Sequence, residues 1–143
     1  MATIEQARKF LNQAKEARNN AIVLSYKLAE MKQTSKKVIA SYELAFGGTG
    51  KKYDISEDIA RIEEKAEQMR LEKDLWLRKS QEIEAFLNAI SIDDKIKRVL
   101  SLEYLSFINQ KKIAQELCYS ERHVRRLHLL GLKKVAENLK DVL

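Results

Sequence analysis

The most regular alternation of hydrophobic and polar residues runs through residues 56–91. Apolar side chains recur there at alternating steps of four and three residues for five heptads, the spacing of a coiled-coil stripe. Lys73 and Ser80 are its polar members, and a polar residue at such a position can set register and partner number. The pattern predicts one long helix whose stripe packs on another helix, either within the chain or also across a dimer. The stripe consists of Ile55, Ile59, Ile62, Ala66, Met69, Lys73, Trp76, Ser80, Ile83, Leu87 and Ile90.

A thinner apolar stripe runs through residues 2–46 and predicts a second long helix. Alanines fill much of this stripe, so a neighbouring helix could approach closely. We expect the helix to bend, or to end and restart, at the polar stretch Gln33-Thr34-Ser35. The stripe comprises Ile4, Ala7, Leu11, Ala14, Ala21, Leu24, Leu28 and Met31, and Val38, Ile39, Tyr42 and Phe46 continue it.

A glycine-rich loop separates the two long helices at residues 47–52. A phosphate-binding P-loop is excluded, because Lys52 stands where Ser or Thr should follow the lysine and no apolar strand precedes the glycines. We interpret the segment as the turn of a helical hairpin. Asp54 or Ser56 can cap the helix that follows it.

Three shorter helices are predicted near residues 93–105, 110–117 and 121–139. Asp93-Asp94, Asn109 and Ser120 stand where N-caps are needed, and their side-chain oxygens can accept backbone N–H groups of the first turn.

The last two of these helices have the spacing of a helix-turn-helix. Val124 and Leu127 face inward, whereas the basic residues between and beside them face outward. In such a motif the second helix enters the DNA major groove. Gly131 lies inside this helix at a cost of about 1 kcal/mol relative to alanine, so we expect another helix to approach closely there.

The elements together predict an all-α fold with two domains. Residues 1–91 are expected to form a long antiparallel, coiled-coil-like hairpin for oligomerisation or partner binding, and residues 92–143 a three-helix DNA-binding domain. The absence of proline and the presence of only four glycines in 143 residues agree with long helices.

The charge is concentrated in the C-terminal domain. The chain carries a formal charge of +6. Residues 92–143 contain 11 Lys or Arg and 7 Asp or Glu, a net +4, while the longer N-terminal part contributes only +2. This bias is expected of a domain that meets phosphates.

Eight residues are candidates for DNA contact. Arg122 and Arg126 share a helix face, and arginine can bind guanine O6 and N7 bidentately, worth about 1–3 kcal/mol of discrimination. Lysines before the turn and the Ser120 cap suit phosphates, while Glu121 could accept from cytosine or only favour the helix dipole. The alternative is a solvated basic face. The full set is Lys111, Lys112, Ser120, Glu121, Arg122, His123, Arg125 and Arg126.

Other chemistry finds little support in the sequence. Cys118, His123 and His128 offer three zinc ligands where a structural site needs four, so we expect no metal and no cofactor; His128 is expected to pack or to hydrogen-bond instead. No nucleophile–base pair is recognisable, and we expect no enzyme. The single cysteine, and the absence of a secretion signal or a membrane-spanning apolar run, indicate a cytoplasmic protein.

One pattern along the C-terminal third resembles region 4 of the sigma-70 class, and its Tyr119-to-His128 string is fairly specific. The pattern consists of Tyr104-Leu105, Ile113-Ala114, Tyr119-Ser120, Arg122-His123-Val124, Leu127-His128 and Leu132. More closely, the last 50 or so residues resemble small helix-turn-helix proteins of phages and prophages of Gram-positive bacteria, related to ArpU/RinA-type late transcriptional regulators. The sequence departs from that pattern at Cys118, where glycine is usual, at Gly131, where alanine is usual, and at Leu129-Leu130, which add apolar surface.

The resemblance implies a phage-encoded regulator that binds double-stranded DNA in the bacterial host cytoplasm and activates late packaging or morphogenesis genes, with the hairpin forming a homodimer. The alternative is an adaptor that binds RNA polymerase or another phage protein through the hairpin. A terminase-like packaging protein is disfavoured, because its helix-turn-helix usually lies at the N-terminus.

Overall fold

A computed structural model describes residues 2–46 and 56–139, and within these ranges the protein is all-α, as predicted. The described residues form six helices and no strand. None of these helices combines the length and the hydrophobicity that crossing a bilayer requires. The helices are α1 (Ile4–Leu11), α2 (Gln13–Phe46), α3 (Ser56–Ala89), α4 (Asp94–Tyr104), α5 (Gln110–Leu117) and α6 (Glu121–Leu139).

The first long helix is interrupted at Asn12 and not at residues 33–35. The backbone N–H of Asn12 still donates to the Arg8 carbonyl, and its own carbonyl accepts from Glu16, so the interruption is slight. The helix does not end and restart at Gln33-Thr34-Ser35, because α2 continues through these residues. These polar residues cost a helix only a few tenths of a kcal/mol each, and none of them is buried, so solvent satisfies their side chains.

One compact unit combines the two ends of the chain, Met1–Ala17 and Leu75–Leu143. Ala7 and Leu11 of α1, and Ile83 and Leu87 near the end of α3, are buried in the same core as residues of α4 and α6. This unit therefore crosses the predicted domain boundary between residues 91 and 92. The main core consists of Ala7, Phe10, Leu11, Ala14, Ile83, Leu87, Leu100, Tyr104, Leu132, Val135, Ala136 and Leu139.

The other unit, Arg18–Asp74, has a sparse core. Ala21 and Leu28 are its only described hydrophobic residues that are fully buried. One groove is lined by residues 20–27 and 68–72, and another by residues 30–38 and 58–62, so positions pair in opposite order along α2 and α3. Of the described apolar members of the predicted heptad stripe in this unit, Ile59 is exposed, and Ile62, Ala66 and Met69 are partly buried.

Several predicted features of this unit lie outside the described residues. They are the loop at residues 47–52, Asp54, Ile55, and the side chains of Tyr42 and Phe46. Ser56 is the first residue of α3.

The three C-terminal helices begin and end within one residue of the predicted bounds, and their predicted caps are confirmed. The Asp93 carboxylate accepts from the Lys95 N–H at 3.0 Å, Asn109 Oδ1 accepts from the Lys112 N–H at 2.9 Å, and Ser120 Oγ accepts from the His123 N–H at 3.1 Å. A smaller core holds α4, α5 and α6 together through Val99, Ile113, Ala114, Val124 and Leu127.

Gly131 lies where α4 crosses α6. A Cβ atom at this position would lie 2.8 Å from Leu100 Cδ1 and 2.9 Å from Ile96 Cγ2, closer than van der Waals contact allows. The expectation that another helix approaches at this glycine is therefore confirmed.

Candidate nucleic-acid interface

The connection between α5 and α6 is three residues long and begins with a left-handed residue. Cys118 has φ 58° and ψ 39°, a conformation that glycine adopts far more easily. The Tyr119 N–H donates to the Ala114 carbonyl at 2.9 Å, the long backbone hydrogen bond typical of a Schellman ending. A local turn thus ends α5 sharply, and Ser120 caps the next helix two residues later.

Burial of the inner face of α6 fixes which residues of this helix face outward. Val124 and Leu127 pack against Ile113 and Ala114 of α5. Arg122, Arg125 and Arg126 then lie on the opposite side of the helix and are all exposed. The structure therefore presents these three arginines on one accessible surface, as the sequence predicted.

The exposed cations near the turn lack anionic partners. Within residues 2–46 and 56–139, no Asp or Glu forms an ion pair with Lys111, Lys112 or the three arginines of α6. Arg70 of α3 shows the contrast, since it pairs with both Glu67 and Asp74. Positive charge on α5 and α6 is therefore available to an external anion. We name Lys111, Lys112, Arg122, Arg125 and Arg126 the cationic face.

The remaining candidate residues are more constrained. Ser120 is exposed, but its oxygen already accepts the His123 N–H, which leaves its hydroxyl proton free to donate. His123 is half-buried, and its ring meets the edge of Tyr119 at a centroid distance of 4.9 Å. Glu121 is exposed in the first turn of α6, where its charge favours the helix dipole. The His123 side chain thus packs partly against the turn and is less accessible than the arginines.

No metal-binding cluster forms in the described part of the chain. Across residues 2–46 and 56–139, no three His, Cys, Asp or Glu residues lie close enough to share an ion. Cys118 is exposed, whereas His128 is buried. The prediction that His128 packs and hydrogen-bonds is confirmed by its partners.

His128 belongs to a buried polar cluster that the sequence did not reveal. Its Nε2 and the Tyr104 hydroxyl share a hydrogen bond of 2.6 Å, their rings stack, and Glu103 Oε2 lies 3.3 Å from the same nitrogen. Burial, and then the charge of Arg8, lower the pKa of His128. Burial also raises the pKa values of Glu103 and Tyr104. Tyr104 and Glu103 lie 24 and 25 residues before His128 in the sequence, so no local sequence motif could predict that they contact it.

Comparison with known proteins assigns no family to this chain. No protein-family model, no curated protein and no solved structure matches it. The resemblance carried by residues 119–128 therefore stays a prediction, and a function has to be argued from the residues themselves.

Proposed function

We propose that this protein regulates transcription by binding duplex DNA through a helix-turn-helix formed by α5 and α6. The observation that carries the proposal is the cationic face, whose side chains are exposed and unpaired. The buried Val124 and Leu127 hold its three arginines outward. A short helix, a tight turn and a capped second helix present this charge, as major-groove readers do.

Each part of the cationic face has a distinct role in this proposal. Arg122 and Arg126, one turn apart, reach base edges, where arginine prefers guanine. Lys111 and Lys112 begin α5 and contact phosphates, together with the hydroxyl of Ser120. Arg125 lies beside the reading pair and contacts either a base or the backbone.

The resemblance to ArpU/RinA-type proteins extends the proposal to its biological setting. By that resemblance alone, the protein is a phage-encoded activator of late genes that works in the cytoplasm of a bacterial host. Selection of DNA fragments from its own genomic neighbourhood by the purified protein tests this extension directly. Enrichment of fragments upstream of packaging or morphogenesis genes supports it, and enrichment elsewhere contradicts it.

The test of DNA binding compares two double variants with equal loss of charge. Arg122→Ala/Arg126→Ala removes the reading pair, whereas Arg61→Ala/Arg78→Ala removes two exposed arginines of α3. Affinity for the selected duplex, measured by fluorescence anisotropy, should fall at least about 30-fold in the first variant and little in the second, because two bidentate contacts at about 1–3 kcal/mol each amount to at least about 2 kcal/mol. Circular dichroism shows whether both variants stay folded. Specific binding retained by the first variant contradicts the proposal.

A second function, as a protein adaptor, is favoured by the Arg18–Asp74 unit. Val23, Tyr26 and Leu71 are 51%, 73% and 53% exposed there, beside a sparse core. Such a surface suits a second copy of the chain or another protein. Of these two partners we propose the second copy, so that the surface forms a homodimer, and the adaptor is the alternative.

The mass of the protein in solution tests the homodimer. Val23→Glu/Leu71→Glu should convert a dimer into a monomer, because two charges would enter an apolar contact. Gln33→Glu/Gln81→Glu adds the same charge at exposed polar positions and should leave the mass unchanged. A monomeric unchanged chain that still captures a purified polymerase subunit would favour the adaptor.

A further inference from the structure

Leu129 is an exposed leucine in line with the arginines of α6. It is 44% exposed and follows Arg122 by two helical turns. Arg125 and Arg126 lie one turn before it, and Lys133 lies one turn after it. Four cations thus surround one apolar side chain on the outer side of the helix.

Leu130 is similarly exposed at 37% and shares two of these neighbours, Arg126 and Lys133, which lie one turn before and one turn after it. Within the described ranges, none of the four cations around Leu129 forms an ion pair. Leu130 lies about 100° further round the helix, one turn before Lys134, which pairs with Glu137 at 3.7 Å. Leu130 therefore has two unpaired cations and one paired lysine around it, whereas all four cations around Leu129 are unpaired.

A ligand that fits the surroundings of Leu129 is anionic at its margins and apolar at its centre. The major groove of duplex DNA has this character, because phosphates form both rims and the thymine C5-methyl group projects from the floor. An acidic, amphipathic protein segment would also combine negative charge at its margins with an apolar centre. Lys111 and Lys112 of α5 are also unpaired, however, and duplex DNA offers a phosphate backbone to both helices.

We propose that Leu129 is a specificity-determining residue that contacts the C5-methyl group of a thymine. It lies seven positions after Arg122, about 10 Å along a helix axis at 1.5 Å per residue. Over that length a helix spans at most about three base-pair steps of 3.4 Å. The contacted thymine therefore lies within about three base pairs of the guanine read by Arg122. This inference rests on the proposed binding of α6 to duplex DNA.

Replacement of thymine by deoxyuridine tests the contact, because it removes only the methyl group. With the full chain and its selected duplex, each thymine is replaced in turn and the dissociation constant is measured. One position should lose about four-fold in affinity, the equivalent of one buried methyl group. Leu129→Ala should bind the thymine duplex about four-fold more weakly and show no further loss on the uracil duplex. Leu130→Ala, the matched control, should keep the four-fold thymine preference.

Three outcomes overturn the assignment. They are a selected site without a methyl-sensitive thymine, a uracil effect of equal size in Leu129→Ala, and a Leu129→Ala variant that binds every duplex like the unchanged chain. In each of these cases the protein still selects a duplex, so the proposed DNA binding survives. Failure of the unchanged chain to select any duplex would instead contradict the proposed function itself.

Discussion

Cys118 occupies a conformation that costs an L-residue about 1–2 kcal/mol. The residue lies in the turn between α5 and α6, at a position where the resembled proteins usually have glycine. The φ of 58° settles that the turn is the left-handed kind. The Cys118 side chain is exposed.

We predict that Cys118→Gly stabilises the protein by about 0.5–1 kcal/mol. Relief of the left-handed strain exceeds the extra backbone entropy that glycine brings to the unfolded chain. The free energy of unfolding in urea, measured with a reductant present, checks this value. Cys118→Ala keeps the Cβ atom and should leave stability unchanged. Equal stability of the glycine and alanine variants would show that the turn stores no strain.

The buried cluster around His128 makes stability depend on pH. The pKa of His128 is lowered below 6.5, first by burial and then by Arg8 of α1. As the pH falls below 6.5, the imidazole gains its proton in the unfolded chain before it does in the folded one. Protonation therefore favours unfolding, and the stability present above pH 6.5 is lost in this window. The raised pKa of Glu103 acts in the opposite sense at lower pH, where the folded carboxyl takes up a proton first.

We predict that the free energy of unfolding falls between pH 7.5 and pH 5.5, with a slope from His128 of at most about 1.4 kcal/mol per pH unit. Urea titrations across this range give the slope. His128→Gln should flatten it, and Glu103→Gln should steepen it at the acidic end, because the opposing proton uptake is removed. His123→Gln removes the other imidazole as a control. An unchanged slope in His128→Gln would assign the dependence to other groups.

At the scale of elements, the bounds of α4, α5 and α6 could be predicted because local chemistry sets them. Asp93, Asn109 and Ser120 each accept a backbone N–H within their own first turn. The break at Asn12 could not be predicted, since the apolar stripe continues across it and asparagine is tolerated in helices. The side chains that pack against Gly131 could not be predicted either, because Ile96 and Leu100 lie on another helix.

We predict that Gly131→Ala destabilises the protein by about 1 kcal/mol despite its better helix propensity. Alanine gains about 1 kcal/mol in an α-helix, but overpacking at a tight crossing costs about 1–3 kcal/mol. Leu100 is fully buried and Ile96 is β-branched, so neither can move aside easily. Thermal unfolding of the single variant measures the cost. Ile96→Leu removes the branching methyl group, so Gly131→Ala should cost less in that background. An alanine variant more stable than the unchanged chain would contradict the close crossing.

At the scale of the whole molecule, the domain boundary predicted between residues 91 and 92 differs from the division into compact units. Those units are Met1–Ala17 with Leu75–Leu143, and Arg18–Asp74. The stripe of α3 looks uniform, yet Ile83 and Leu87 are buried, whereas Ile59 is 44% exposed. Periodicity identifies an apolar face but not the partner that covers it, because that partner is set by contacts distant in sequence. The Met1–Ala17 segment and the end of α3 thus belong to the unit that carries the cationic face.

We predict that a fragment of residues 92–143 does not fold, although the sequence suggests a self-contained domain. It lacks Ala7, Leu11, Ile83 and Leu87, which fill the same core as Leu132 and Leu139 of α6. Removing buried leucine and isoleucine side chains costs about 2–5 kcal/mol each, comparable with the whole stability of a small domain. A shortened variant, in which a flexible linker of about 20 Gly/Ser residues replaces Arg18–Asp74, keeps the complete core and should fold. Circular dichroism and cooperative thermal unfolding distinguish the two. A cooperatively unfolding 92–143 fragment would mean that α1 and the end of α3 cover a core that is already stable without them.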